Sequence, residues 1–204
     1  MQYNLDELKQ TIEHSQHCQR NWDLTQHIPD SHIDLLVHSL THCPSKQNNA
    51  WYKVHVITNR SVIQELHRYT QGFGLPNGAI TDNPQVLSNL VIVFESQQEG
   101  KRFKSVKKAW NIPDKDNSES VLMSIGIASG YLNLVSHMLG YKTGFCRCFT
   151  KSKIKNILKI ENEPILIIGI GYENANKNRL EHHLDHTIVF PSIPKETIKV
   201  NFIK

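Results

Sequence analysis

The sequence predicts an α+β fold in which a mixed β-sheet is flanked by helices. Segments with helical periodicity alternate with apolar segments of strand length, and one helical segment is much longer and more apolar than the rest. The chain has 204 residues, of which 39% are hydrophobic, so it can bury one sizeable core. We therefore expect a single domain over residues 1–204.

The first half of the chain alternates between two periodicities. Apolar residues three and four positions apart predict helices, whereas alternation or a short continuous apolar run predicts a strand. The elements predicted in this way are a helix over residues 5–15, a second helix opening at Pro29-Asp30-Ser31 with Asp30 or Ser31 as its cap and stopping before Pro44, a strand over 52–58, a third helix from Asn59-Arg60-Ser61 to Tyr69, and a buried strand over 89–95.

The second half is dominated by a long helical pattern over residues 119–139. Asn117 or Ser118 stands where a cap belongs, and Gly140 stands where a left-handed residue closes a helix. Apolar residues nearly surround this pattern, so we expect burial on most sides, with its small residues at a subunit interface or an intrachain crossing. The remaining predictions are a short helix capped by Thr150 and ending at Leu158, a strand over 165–171, a last strand over 197–203, and loose loops over 72–84 and 101–116.

The charge and the cysteine content of the chain indicate its cellular location and the partners that it lacks. The 23 Lys and Arg against 19 Asp and Glu make the chain mildly basic, and no nucleic-acid motif frames the basic cluster Lys101-Arg102-Phe103-Lys104 with Lys107-Lys108. No secretory signal pattern is present, and the longest apolar runs are too short to span a bilayer. We therefore expect a cytoplasmic protein with reduced cysteines and without nucleic-acid or membrane partners.

Two distant segments carry the groups that a phosphate requires. Gln16-His17-Cys18-Gln19-Arg20 follows the first helix, and Lys177-Asn178-Arg179 follows the buried strand that contains Gly169-Ile170-Gly171. Arg offers a planar fork of donors and Lys a point charge, and both suit a doubly ionised phosphate. The two segments together could therefore hold one phosphate.

This pairing resembles the nitroreductase family of FMN-dependent oxidoreductases, in which a basic N-terminal segment and a Lys-x-Arg converge on the FMN phosphate. The segment from Pro44 to Trp51 is similar to the family's Pro-Ser, flavin-contacting Asn and closing Trp. Residues 144–149 are similar to the turn that passes the flavin ring. The resemblance covers nearly the whole chain and implies a nitroreductase-like fold whose long central helix lies at a homodimer interface.

The resemblance also implies a role for individual residues. A flavin carbonyl beside an N–H suits an Asn side chain, and backbone N–H groups stabilise charge that develops on the ring. The implied cofactor-binding set is Arg20, Lys177 and Arg179 at the phosphate, with His17 and Cys18 lining the same pocket, Pro44, Ser45 and either Asn48 or Asn49 at the ring, and the backbone near Arg147 and Cys148 at flavin N5 and O4.

The chain departs from the family pattern at two places. In the N-terminal segment Gln16 replaces a common cation, and the thiol of Cys18 replaces a common hydroxyl. The Pro-Ser to Trp segment is one residue short, with Ala50 where Pro is common. The choice between Asn48 and Asn49 as the flavin contact therefore stays open.

The implied activity is that of an FMN-dependent oxidoreductase. It would take hydride from NADH or NADPH through flavin N5 and reduce a small electron-poor acceptor, a nitroaromatic or quinone, with ping-pong kinetics. A second hypothesis keeps the FMN but assigns it a non-catalytic or flavin-consuming role. A third is a zinc-binding module, because His and Cys recur at close spacing in three groups, which are His14, His17 and Cys18; His38, His42 and Cys43; and His182, His183 and His186.

Overall fold

The computed structural model describes residues 4–72, 74, 75, 78, 80–98, 100–112 and 117–203. These residues form six helices and five strands, which alternate except that α4 and α5 are consecutive, and two short 3₁₀ turns lie at Lys46–Asn48 and Pro84–Leu87. In chain order the elements are α1 (Leu5–Ser15), β1 (Trp22–Asp23), α2 (Asp30–Thr41), β2 (Tyr52–Ile57), α3 (Arg60–His67), β3 (Leu90–Ser96), α4 (Lys101–Ala109), α5 (Ser118–Met138), β4 (Lys142–Cys146), α6 (Lys151–Leu158) and β5 (Pro164–Glu173).

Strand β5 is the centre of the sheet. It pairs with β3 on one edge and with β4 on the other, β2 lies outside β3, and β1 pairs with the last residues of β5. All of these pairings are antiparallel, and an isolated parallel bridge joins Cys18 to Thr143 of β4. The ends of β4 and β5 therefore hold together segments that are far apart in sequence.

Helices cover both faces of the sheet. Strand β3 alternates between two hydrophobic clusters, so its whole apolar run is buried. The first cluster joins Leu90, Ile92 and Phe94 to α2 and α5, and the second joins Val91 and Val93 to α3 and α6. The predicted α+β class, with a sheet flanked by helices, is confirmed.

Several predicted helix ends are confirmed, and one cap was assigned to the wrong residue. Asn59 caps α3, since its side chain accepts hydrogen bonds from the N–H groups of Ser61 and Val62. Gly140 has a φ of +86° after α5, the left-handed conformation in which glycine is favoured. Helix α2, however, has Pro29 at its N-cap, and Asp30 already lies in its first turn. There the negative carboxylate interacts favourably with the positive end of the helix dipole.

The predicted loop over residues 101–116 is wrong in its first part, because α4 occupies Lys101–Ala109. Phe103 gives this basic segment an apolar side, and its ring packs edge-on against Trp51 with 6.1 Å between centroids. Strand β4 was not predicted, because glycine interrupts its apolar pattern. Residues 113–116 of the first loop and 73, 76, 77 and 79 of the predicted loop over 72–84 lie outside the described residues.

The predicted last strand over residues 197–203 is also wrong. These residues have no regular structure, and Ile198, Val200 and Phe202 are 75%, 68% and 85% exposed. Their alternation is typical of a strand, but a strand also needs a partner edge, and within one chain this segment pairs with none of the described strands.

Helix α5 is not buried on most sides of the single chain. It packs against α1, α2 and β4, yet Leu122, Met123, Tyr131 and Met138 are 47% to 58% exposed along its other side. By length and composition, α5 is also the one helix among the described residues that is long and apolar enough to cross a membrane. One side of α5 packs against the sheet and belongs to the hydrophobic core.

Candidate functional site

The N-terminal basic segment lies along the free edge of β4. The N–H of Gln19 donates to the carbonyl of Thr143 at 2.8 Å, and the N–H of Phe145 donates to Sγ of Cys18 at 3.2 Å. Cys18 is therefore held against the strand by its own thiol. The structure brings His17, Cys18 and Arg20 to one end of the sheet because this segment extends it beyond β4.

Arg179 meets this segment from the end of β5. Its carbonyl accepts a hydrogen bond from the N–H of Arg20 at 3.2 Å, and its Nη1 donates to the carbonyl of Cys18 at 3.5 Å. The guanidinium of Arg20 lies 4.7 Å from the centre of the Phe190 ring. Burial lowers the pKa of Arg20; the neighbouring Cys18 opposes this shift in part, and the positive charge of Arg179 adds to it. Two like charges are thus held close together.

The remaining predicted phosphate ligand is placed differently. The ammonium of Lys177 lies 2.9 Å from Nδ1 of His186 on the same C-terminal segment. His17 is exposed beside Arg179, and desolvation, followed by the charge of Arg179, lowers the pKa of its imidazole. The neutral form of His17 is favoured as a result, so its ring offers one donor and one acceptor rather than a cation.

A cleft of about 380 Å³ opens beside this cluster, and we call it the β4 cleft. Its lining includes the predicted His17 and Cys18, together with residues outside the implied cofactor-binding set. These additional residues are Ser15, Gln16, Asn133, Thr143, Phe145, Ile193 and Lys195. Asn133 and Thr143 are joined by a hydrogen bond of 2.6 Å, and Lys195 adds a cation from a segment in which no sequence signal marks it.

The loop after α2 separates the two candidate asparagines. Asn49 is buried, and its Oδ1 accepts a hydrogen bond of 3.0 Å from the N–H of Gly100. Asn48 is exposed, with a φ of +49° that turns the loop. Pro44 is exposed and Ser45 half-buried beside them. Among the described hydrogen bonds none joins this loop to Arg20 or Arg179.

Arg147 and Cys148 lie just beyond the end of β4. Both are exposed, and neither backbone N–H donates a hydrogen bond within the described residues. The carbonyl of Cys148, by contrast, accepts from the N–H of Gln71 at 2.8 Å, which fixes the turn. This leaves two donors at a rigid strand end, as the predicted role toward a ring heteroatom requires.

The Gly169-Ile170-Gly171 motif has a packing role. A Cβ built on Gly169 would collide with the backbone of Gln85, and one on Gly171 would collide with Asn89. These glycines therefore let the segment around Pro84–Leu87 approach β5 closely. They contribute to the candidate site only by shaping the sheet that carries it.

The groups of His and Cys do not form a metal site in the described part of the chain. No cluster of three or more His, Cys, Asp or Glu side chains there has the geometry to hold an ion. The rings of His38 and His42 stack at 3.8 Å, and His182 contacts Asp82.

The sequence and the fold are those of a known protein family. A family model described as the nitroreductase family matches residues 15–172, which is most of the chain. The chain therefore belongs to the nitroreductase family. No curated protein shows significant sequence similarity to it.

Solved structures show the same fold at low sequence identity. The nitroreductase-like protein ydfN of Bacillus subtilis is 14% identical, with a TM-score of 0.73 over 98% of this chain and 100% of that one. A nitroreductase family protein of Streptococcus pneumoniae TIGR4 is 17% identical, with a TM-score of 0.67 over 95% and 96%. An FMN-dependent nitroreductase of Clostridium difficile R20291 is 15% identical, with a TM-score of 0.56 over 84% and 88%.

Proposed function

We propose that this protein is an FMN-dependent oxidoreductase that takes hydride from NADH or NADPH and reduces a small electron-poor acceptor, a nitroaromatic or a quinone. Membership of the nitroreductase family supports an oxidoreductase role. The similar protein of Clostridium difficile is described as FMN-dependent. The proposal includes a cytoplasmic protein without nucleic-acid or membrane partners.

One observation carries the proposal, namely the pair of guanidinium groups of Arg20 and Arg179. They are linked through their backbones, and neither pairs with a carboxylate among the described residues. Nε of Arg20 is buried and has no hydrogen-bond acceptor there. Like charges held together without a counterion favour an anion, and a phosphate accepts several charge-assisted hydrogen bonds at once. The donor set therefore fits the phosphate of FMN.

The other end of the cofactor would lie toward the end of β4. The N–H groups of Arg147 and Cys148 are available to donate to N5 and O4 of the ring. Asn48, which is exposed, is the better candidate than Asn49 for the ring edge, because both its amide atoms can face a ligand, whereas Oδ1 of Asn49 already accepts from Gly100 and leaves only the buried Nδ2 unpartnered. When bound, FMN supplies the hydride-accepting and hydride-donating chemistry, so these residues only bind and orient the ring.

A homodimer would complete this site. The exposed side of α5 combines apolar residues with Gly126 and Gly130, where an added Cβ would meet nothing within 4 Å. Such a surface suits a close crossing with a second copy of α5. The loop that carries Asn48 makes no described hydrogen bond with the Arg20 and Arg179 cluster of its own chain, so we propose that it serves the partner's cluster.

The test is the visible spectrum of the purified protein, followed by anaerobic reduction. We expect bound FMN, at one per protomer, rather than FAD, because no glycine-rich turn for a pyrophosphate is present. Anaerobic NADH or NADPH should bleach the flavin bands, and a nitroaromatic or quinone should restore them in a separate step. That order of events is the signature of ping-pong kinetics.

Two outcomes would contradict the proposal in different ways. Colourless protein that binds no added FMN would exclude a flavin function altogether. Bound FMN that neither nicotinamide bleaches would retain the cofactor site and favour the non-catalytic or flavin-consuming role.

A further inference from the structure

A second cleft, which we call the α5 cleft, lies between the end of β3, the start of α5 and the turn from β4 to α6. It encloses about 580 Å³. One side is apolar, formed by Val121, Leu122 and Ile165, and amides and hydroxyls line much of the rest. The α5 cleft therefore suits a ligand with both an apolar body and a polar group.

Arg147 gives this cleft its charge. Its side chain is exposed and makes no hydrogen bond or ion pair with the described residues, although it lines the cleft. The other cation, Lys151, lies 3.5 Å from the carboxylate of Glu163, so those two largely compensate each other. The lining consequently carries one uncompensated positive charge, presented as a planar fork of donors.

Helix α4 adds to the positive potential at the rim. It begins shortly after Gln98, which lines the cleft, and its sequence KRFKSVKKA has five cations and no carboxylate. Lys107 is buried, and the other four cations are on the surface. A one-signed cluster of this kind raises the local concentration of an oppositely charged ligand. Attraction of an anionic ligand would give a function to the basic helix α4, which has no role in the proposed flavin site.

We propose that the α5 cleft binds the carboxylate of an aromatic acid, and that the preferred electron acceptor of this protein is therefore an acidic nitroaromatic or quinone. The proposal rests on the proposed function only in calling this ligand the acceptor. Arg147 binds the carboxylate through its fork, the apolar wall of Val121, Leu122 and Ile165 contacts the aromatic ring, and α4 attracts the anion. The N–H of the same Arg147 is a proposed ring contact, which places the acid next to the flavin.

Paired acceptors of nearly equal shape test the proposal. The kcat/KM for 4-nitrobenzoate should be about ten times that for the neutral 4-nitrobenzamide. This ratio should fall as the salt concentration is raised. Arg147→Gln should bring the ratio to about one. Using the ratio cancels any effect of this substitution on flavin reduction. Arg68→Gln is the matched control, because Arg68 is an exposed cation at the C-terminal end of α3, paired with Glu65, and it should leave the ratio unchanged.

A binding measurement separates this proposal from the proposed function. Calorimetry of the purified protein with 4-nitrobenzoate should show binding that Arg147→Gln weakens about tenfold and Arg68→Gln does not. Binding without turnover would overturn the proposed function and retain the carboxylate site. Turnover with equal ratios in the wild-type protein and Arg147→Gln would overturn the carboxylate site and retain the function.

The nicotinamide donor is the competing source of an anionic group. If Arg147→Gln slowed anaerobic bleaching by NADPH but not by NADH, and left the acceptor ratio unchanged, the fork would serve the donor's extra phosphate. That result would overturn the proposal that Arg147 binds the carboxylate of the acceptor.

Discussion

At the residue scale, Arg179 and Lys177 should contribute unequally to cofactor binding. Arg179 lies against Arg20 and Cys18, whereas the ammonium of Lys177 contacts His186. A charge-assisted hydrogen bond contributes about 1.5–3 kcal/mol. We expect Arg179→Gln to weaken FMN binding by roughly tenfold to a hundredfold and Lys177→Gln to weaken it less. Fluorescence titration of FMN measures both, and equal affinity of wild-type protein and Arg179→Gln would place the phosphate elsewhere.

His183 should make stability depend on pH. Burial, followed by the charges of Arg60 and Lys177, lowers the pKa of His183 from 6.5 to about 4, and its Nδ1 accepts the N–H of Trp22 at 3.2 Å. The folded state thus favours the neutral ring. Its stabilisation is complete above pH 6.5 and is lost as the pH falls toward 4.

Because the ring is partly exposed, we expect this contribution to be about 1–2 kcal/mol. Urea unfolding of His183→Asn, whose amide can still accept the N–H of Trp22, should show a smaller loss of stability between pH 7 and pH 5 than wild-type protein. The exposed His38→Asn is the control. If the free energy of unfolding of His183→Asn depended on pH as strongly as that of the wild-type protein, His183 would not be the group responsible.

At the element scale, a buried polar cluster holds the C-terminal segment that carries Arg179 and Phe190. One oxygen of Asp82 lies 2.6 Å from Nε2 of His182 and 2.8 Å from Nε2 of His67 on α3. Burial alone would raise the pKa of Asp82, but the two imidazoles outweigh it and hold that pKa well below its usual range. The segment forms no helix or longer strand, only a single β-bridge between Glu181 and Val189, so these contacts help to fix its position.

Asp82→Asn should therefore lower the free energy of unfolding by about 1–3 kcal/mol and also weaken FMN binding, because the segment would be released. Hydrogen exchange should show faster exchange near His182 than in the wild-type protein. Asp34→Asn, at an exposed position on α2, is the control and should change neither quantity. Unaltered exchange in Asp82→Asn would show that other contacts hold the segment.

At the scale of the whole molecule, the exposed side of α5 should mediate dimerisation. Gly130→Phe should preserve the fold of the protomer, because Gly130 is exposed and an added Cβ meets nothing within 4 Å there, but it should block close approach of a second α5. We expect a monomer with weakened FMN binding by sedimentation and titration. Ser152→Phe, on an exposed position of α6, should remain dimeric, and a flavin-loaded dimer of Gly130→Phe would contradict the interface.

Local periodicity accounts for most of the predicted elements. Helix α1, the run of β3 and the left-handed Gly140 depend on neighbouring residues, so the sequence was sufficient to predict them. Strand β4 and helix α4 depend on what packs against them. Gly144 interrupts the pattern of β4 because Gln85 approaches it, and α4 is amphipathic only through a few apolar residues such as Phe103.

By itself, the sequence determined the class of fold, the family resemblance and the residue types available to an anion. The tertiary structure decided which of them meet, because hydrogen-bond partners come from distant segments. The segment after β5 brings Arg179 to Arg20, while Oδ1 of Asn49 accepts from Gly100 and Asn48 is exposed. The segment over residues 197–203 shows the same dependence, because a strand pattern forms a strand only where another edge pairs with it.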